Sequence, residues 1–378
     1  MENCKAIRCF DTQVKEISSG HLLRLKASHG VSHRGSICSE HGLLLASTVY
    51  DKKARGKLIY TLLDEQGKTR SFAEPDGSLP TLFLSPEGKS FVSIVPYHPD
   101  KELEVSIPIF ERDDHNMPKG NRPFLGDFVG TLGTYSLFFE CDPWSDSKPD
   151  KLLYMAFKDG QLKKKKQVKI PLPRKNKRYV DASGLHLFGR ADEEGTWLHR
   201  LLDAEGQVLR QRELHSGRAF YREVVKLSFD AVSYLLAEEE GGSLLLECVQ
   251  PDGRIESKPL YSFGDFLYNT WPPVKVAEET YVIRFNDGFG NGWLTINKGE
   301  LLELFYNKDK ARGYRNLLTD ELLDFGQGQL ILADIQPSPA GYAAIFYPRT
   351  SEDQLAEELL IFFHKTRFGS LPSDQSHD

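Results

Sequence analysis

Several groups of residues have types and spacings that could do chemistry. Lys158 to Arg178 holds ten lysines and arginines against one acid, Asp159, a local charge of +9. Lys163, Lys164, Lys165 and Lys166 form its centre, and Arg174, Lys175, Lys177 and Arg178 follow. Such a run can attract RNA, an anionic membrane surface or an acidic protein through its field. Aromatic stacking partners are scarce, with Tyr179 standing just beyond the run. A charged outer strand with its connector explains the same residues, because lysines on a sheet edge discourage edge-to-edge pairing.

A second group is acidic and partly aromatic. It is spread over short polar segments: Asp142, Asp146 and Asp150 with Trp144; Asp192, Glu193 and Glu194; Glu238, Glu239 and Glu240; Asp287 with Phe289 and Trp293; Glu352 and Asp353. Brought together, these could hold a cationic protein segment or a sugar. Two of the carboxylates could be paired for glycoside chemistry, although nothing in the sequence selects the pair. The residues best placed to bind are Trp144, Asp192, Glu193, Glu194, Glu239, Asp287, Phe289 and Trp293. Ordinary polar hairpin turns would look the same.

Two further groups resemble metal sites and fall short of them. His21, His29, His33, Cys38 and His41 lie within 21 residues, but the spacing matches no metal motif. Asn286-Asp287-Gly288-Phe289-Gly290-Asn291-Gly292 has the oxygens and glycines of a calcium loop. Phe289 interrupts its alternate ligands, and Lys298 stands where the bidentate acid belongs. A glycine-rich hairpin turn is the better reading, and no metal or cofactor is expected. The chain has no Gly-x-Ser-x-Gly elbow, no phosphate-binding Gly-x-x-x-x-Gly-Lys-Ser/Thr loop and no His-Glu-x-x-His.

The elements that must position these residues form a repeat. Gly56-KLIYTLLDEQ-Gly67, Gly195-TWLHRLLDAE-Gly206 and Gly242-SLLLECVQPD-Gly253 share a glycine-to-glycine spacing of eleven. Each follows an apolar strand pattern (42–50, 184–190, 231–237) and precedes a more polar one. Looser copies pair 135–140 with 151–157, 280–285 with 292–297, 341–347 with 359–364, and 91–97 with 103–110. The first strands of these pairs recur about every 44–61 residues, near the spacing of four-stranded propeller blades. Runs such as Leu43-Leu44-Leu45-Ala46 and Leu330-Ile331-Leu332-Ala333 suit strands covered on both faces. Charged segments at 163–166, 210–212 and 254–256 suit outer edges. Helix signals are confined to 351–360 and 320–324.

Over nearly its whole length the chain resembles the β-propeller superfold. The resemblance implies an all-β fold of about seven four-stranded antiparallel blades, at roughly 31–73, 79–112, 124–171, 175–214, 219–261, 271–306 and 327–366. Six is the alternative, because the second pair is poor. The last blade lacks an outer strand, so Cys4–Phe10 is predicted to pair with it and close the ring without a seam. One domain is expected over 1–369, with a polar, disordered tail over 370–378. In such a ring the turns carrying the acidic and aromatic residues all open on one face. The segment 191–197 also resembles a sialidase aspartate box, with one residue too many between aspartate and glycine and no repetition, so no sialidase residue is carried over. Among its copies, Trp197 aligns with Leu58 and Leu244, which makes it a packing residue, and Asp203 a turn former.

Whole-chain numbers bound the rest. The chain has 378 residues and a net charge of −6, or −15 outside the basic run, which argues against general nucleic-acid binding. Five widely spaced cysteines without a Cys-x-x-Cys suit reduced thiols, and no apolar run reaches the roughly 20 residues of a spanning helix. The expected protein is soluble, cytoplasmic and monomeric. Its expected role is a non-catalytic interaction module that presents loops to a protein partner. The alternatives are a hydrolase or lyase on a carbohydrate-like ligand, and a binder of anionic polymers through 158–178.

Overall fold

A computed structural model of the chain describes residues 3–10, 16–25, 28–39, 42–51, 56–63, 69–74, 81–84, 91–94, 126–133, 135–140, 151–158, 161–169, 174–191, 195–218, 221–239, 241–263, 267, 269–287, 289–308, 311–326, 329–338, 341–348 and 358–365. Every regular element among them is a strand. No helix there is long and apolar enough to cross a membrane. The chain divides into two compact units, one comprising 1–77, 240–243 and 262–378, the other 78–239 and 244–261.

The second unit is a series of antiparallel sheets, each made of strands consecutive in sequence. Thr81–Leu84 pairs with Phe91–Ile94, where the second expected blade begins. The expected pairing of 91–97 with 103–110 lies outside the described residues beyond Ile94. Then follow four-stranded sheets: Gly126–Leu132, Tyr135–Glu140, Lys151–Lys158, Gln161–Lys169; next Arg174–Asp181, Gly184–Arg190, Thr196–Leu202, Val208–His215; next Glu223–Lys226, Ser233–Glu239, Ser243–Val249, Ile255–Ser262. These match the expected boundaries within a few residues. The first strands of successive sheets lie beside one another.

Burial explains the residue pattern. Gly184–Arg190 is buried at every position but the last, as an inner strand covered on both faces must be. Val208–His215, at the sheet edge, is exposed at six of its eight positions. The charged run Lys163–Lys166 lies on the edge strand of its sheet, and Arg254–Glu256 overlaps the start of another. Trp197 is buried against Phe188 and Tyr221, and its Nε1 donates to the Arg218 carbonyl at 3.0 Å. It is a core residue, whose burial contributes about 2–3 kcal/mol. Asp203 accepts from the N–H groups of Glu205 and Gln207 and shapes the turn after it. Gly195 opens the same strand at φ 95°, and a Cβ there would sit 2.9 Å from the Gly217 Cα. Only glycine meets both conditions without strain.

The described residues of the first unit form three sheets. Ser28–Ser39, Gly42–Asp51, Gly56–Leu63 and Thr69–Glu74 form a four-stranded one. A second is centred on Thr280–Asn286, Gly290–Asn297 and Glu300–Lys308. Asn269–Thr270 and Val274–Ala277 both pair with its first strand, and Tyr314–Asn316 and Leu322–Leu323 extend its far side past the expected limit at 306. The third sheet runs Leu330–Ser338, Gly341–Pro348, Glu358–Lys365, Asn3–Phe10, Glu16–Leu25. The N-terminal strand thus pairs with the last sheet as predicted, parallel to Glu358–Lys365, with Ile7 opposite Leu359. A further strand, Glu16–Leu25, is added outside it.

The helical expectation fails over 320–324 and at the end of 351–360. Residues 351–357 lie outside the described set, and Leu359 and Leu360 are in a strand. Within 320–324 the one regular element is the two-residue strand Leu322–Leu323, which follows a turn at 317–319. In the run Leu359-Leu360-Ile361-Phe362 all four side chains are buried, so sheet packing overrides the helix propensity of Glu358, Leu359 and Leu360.

Candidate functional site

Within the first unit a cavity of about 610 Å3 opens among the strands of its last two sheets. The strand Thr280–Asn286 (TYVIRFN) supplies one wall. Successive side chains alternate between faces, so Arg284 and Asn286 share a face, and they are only half-buried in a strand otherwise buried throughout. Asn291, opposite Asn286 across the hairpin, lines the same space, as do Ile331, Leu332 and Ala333 from Leu330–Ser338. Tyr347 sits opposite Ile331, and Gln329 and the exposed Phe289 also line the cavity.

Arg284 is the centre of charge. The Trp271 N–H donates to the Arg284 carbonyl at 3.0 Å, fixing the two residues side by side. The Arg284 guanidinium carbon lies 4.2 Å from the centroid of the Trp271 ring, a cation–π contact. Among the described residues the guanidinium has no ion pair and no hydrogen bond. Burial pushes its pKa down, against the opposing charge of Asp334. Asp334 itself accepts from the Ser36 hydroxyl, from the Ile335 N–H at 2.9 Å and from the Gln336 amide at 3.1 Å. A guanidinium with one face on an indole keeps its N–H edge for a planar oxyanion.

The wall behind this pair is hydrogen-bonded and closely packed. The Asn291 Oδ1 accepts from the Tyr314 hydroxyl and from the Leu332 N–H at 3.2 Å. Burial pushes the Tyr314 phenol up, so it stays a donor. Trp293 is fully buried behind the hairpin, stacked on Phe305, with its Nε1 donating to the Tyr342 hydroxyl at 2.8 Å. Gly292, beside it, has no room for a Cβ, which would run into the Phe305 carbonyl oxygen.

Two buried polar clusters lie in the second unit. In one, the Arg212 Nε–H donates to His199 Nδ1 at 3.2 Å. The His199 proton therefore sits on Nε2 and is donated to His186 Nδ1 at 2.9 Å, and the His186 Nε2–H faces Asp181 Oδ1 at 3.2 Å. His199 is neutral in this chain of bonds. Burial, with Arg212 beside it, lowers the His199 pKa to about 2. Burial pushes the Asp181 carboxyl up, but hydrogen bonds from His186 and Ser183 outweigh it and hold it at about 2. The Ser183 hydroxyl donates its hydrogen bond to Asp181 at 2.6 Å, and His186 Nε2, 3.0 Å from the same serine oxygen, carries a proton, so the serine has no base to activate it as a nucleophile. In the other cluster, buried Glu247 accepts from the Tyr221 hydroxyl at 2.5 Å and pairs with Arg218.

The expected binding residues fall in different places. Trp144, Asp192, Glu193 and Glu194 lie outside the described residues. Glu239 is exposed and pairs with Arg218 at 3.4 Å, while its neighbour Glu238 is buried against Arg222. Asp287, expected on an acidic surface, is buried instead. Its Oδ1 accepts from the Phe289 and Gly290 N–H groups, and its Oδ2 from the Tyr306 hydroxyl at 2.7 Å, so it shapes the hairpin turn. Trp293, expected as a surface aromatic, is a core side chain. Among the described members of the group, Phe289 alone is both exposed and at the cavity. In the basic run, Lys163–Lys166, Arg174 and Lys175 are placed by backbone only. Lys177 bonds Glu223 at 3.0 Å, and Arg178 is half-buried on the same strand. No cluster able to hold a metal occurs among the described residues.

Arg284 and Trp271 were missed. The signal was present: an arginine inside the apolar strand TYVIRF, and a tryptophan at the first polar break before it.

No family model matches the chain, and no curated protein matches it. Among solved structures, the β-propeller domain of the Trilobed protease from Pyrococcus furiosus, described as having an open velcro topology, is similar at 8% identity and TM-score 0.54. That match covers 89% of this chain and 94% of that one. An uncharacterised protein of Listeria monocytogenes EGD-e is similar at 13% identity and TM-score 0.46, covering 92% and 98%. Prolyl oligopeptidase B from Galerina marginata is similar at 11% identity and TM-score 0.45, covering 86% of this chain and 56% of that one. At these identities the likeness speaks of fold alone, and with the sheets above it makes the chain an all-β protein of β-propeller type.

Proposed function

We propose that this chain is a non-catalytic binding module, and that it takes a segment of a protein partner into the cavity beside Arg284. Seven blades and ring closure by the N-terminal strand belong to the same proposal. One observation carries the reading: a guanidinium without a polar partner among the described residues, laid on Trp271 inside a cavity of about 610 Å3. Even half-buried, a guanidinium without a polar partner loses part of its hydration, a cost that an anionic group entering the cavity would relieve. The cavity size is within the range of pockets that take small ligands or one or two residues of a peptide. The described lining is a cation, amides, a phenol and apolar groups, which suits holding rather than the two-carboxylate chemistry of glycoside cleavage.

Affinity capture from native lysate with two proteins tests this. Wild type is compared with Ala333→Trp, which fills the cavity with a large side chain. A partner held by wild type and lost from the variant, with both melting cooperatively, is the expected result. Equal retention by both would place the interaction elsewhere and overturn the reading.

A further inference from the structure

We infer that the group received by this cavity is a carboxylate, gripped edge-on by Arg284 while Trp271 backs the guanidinium and Phe289 and Ile331 hold an apolar neighbour of that carboxylate. The inference rests on the cavity being the binding site, and it adds the chemistry of what binds there.

Three observations lead to it. First, stacking on Trp271 engages only the face of the guanidinium. Its N–H fork matches the two oxygens of a carboxylate in one plane, a match an ammonium cannot make. Second, the carboxylate already near the site does not serve. Asp334 lowers the cost of burying Arg284, yet its hydrogen bonds run to Ser36, Ile335 and Gln336. It partly offsets the charge of the site, which favours a singly charged ligand. Third, Arg284 is the only cation lining the cavity among the described residues. Phosphate groups carry up to two charges and are gathered by clusters of arginines, so one guanidinium beside an acid suits a carboxylate better. The apolar residues at the rim then set the specificity, since carboxylates without an apolar neighbour would leave Phe289 and Ile331 facing water.

Isothermal titration with paired probes tests the inference without relying on any variant to fold. N-acetylphenylalanine is compared with its amide, and the blocked dipeptide N-acetyl-Phe-Asp-amide with N-acetyl-Phe-Asn-amide. In at least one pair the acid should bind about tenfold or more tighter than its neutral twin, as a charged hydrogen-bonded pair predicts. The first pair reports a chain terminus, the second a side chain. Arg284→Met should abolish that preference, and Arg284→Lys should keep only part of it. Equal binding within both pairs, an undiminished preference in Arg284→Met, or inorganic phosphate binding tighter than either acid would overturn the inference. If the acids fail while Ala333→Trp still loses its captured partner, the carboxylate is wrong and the binding module stands. If the acids bind as expected while Ala333→Trp keeps its partner, the carboxylate site stands and the partner docks elsewhere.

Discussion

At the scale of single residues, the two buried histidines show how a polar core can be satisfied and still respond to pH. His199 is neutral because burial and Arg212 both oppose its charge, giving a folded pKa of about 2 against 6.5 for the free side chain. In the unfolded chain it binds a proton below about pH 6.5. Between those two values the unfolded state carries the extra proton, so stability rises with pH there and is lost as pH falls. One such group gives a slope of up to about 1.4 kcal/mol per pH unit. We expect His199→Gln, whose amide can accept from Arg212 and donate to His186, to flatten the stability profile between about pH 6.5 and 4 by close to one proton. Denaturant titrations at several pH values measure this. Parallel profiles for the two proteins would show that His199 does not carry the dependence.

At the scale of elements, most strands were legible because their cause is local. Leu43–Ala46, 184–190 and the 11-residue glycine spacing report burial on both faces and turns of fixed length, and the sheets follow them within a few residues. Elements decided by distant packing were not legible. The strand Glu358–Lys365 starts within an acidic, helix-favouring stretch, and it is a strand because two neighbours flank it, Gly341–Pro348 and the parallel N-terminal strand. That last pairing was predicted from a missing partner and from Cys4–Phe10 being an unassigned strand of about the right length. It can be tested through the backbone alone. Proline at Ile7 removes an N–H and restricts φ, whereas alanine leaves the backbone able to pair. We expect Ile7→Pro to destabilise by about 1–3 kcal/mol more than Ile7→Ala, if one or two ladder bonds are lost and left unsatisfied. Melting temperatures that match between the two would show that the pairing contributes nothing.

At the scale of the whole molecule, the repeat could reveal the architecture but not the site. A superfold is shared by many functions, and recognition resides in the residues that break the repeat. Surface acids drew notice in the sequence because polar turns are conspicuous. Their described members prove to be turn formers or partners of arginines: Asp287 caps a hairpin, and Glu238 and Glu239 pair with Arg222 and Arg218. Arg284 was inconspicuous because a lone arginine in an apolar strand matters only once its neighbours are known.

The same reasoning applies to the most conspicuous charge, the +9 run against a remainder of −15. Gln161–Lys169 is the edge strand of its sheet, with Lys151–Lys158 as its one partner in that sheet. An edge offers unpaired backbone groups to other chains, and lysines deter that pairing. We therefore expect replacement of Lys163, Lys164, Lys165 and Lys166 by serine or threonine to raise concentration-dependent light scattering, with little change in melting temperature. Binding to a short single-stranded RNA should be weak and alike in both proteins at physiological salt. If the variant instead stays dispersed and loses a salt-sensitive RNA affinity that wild type possesses, the run is a polymer-binding surface, and the edge-protection account fails.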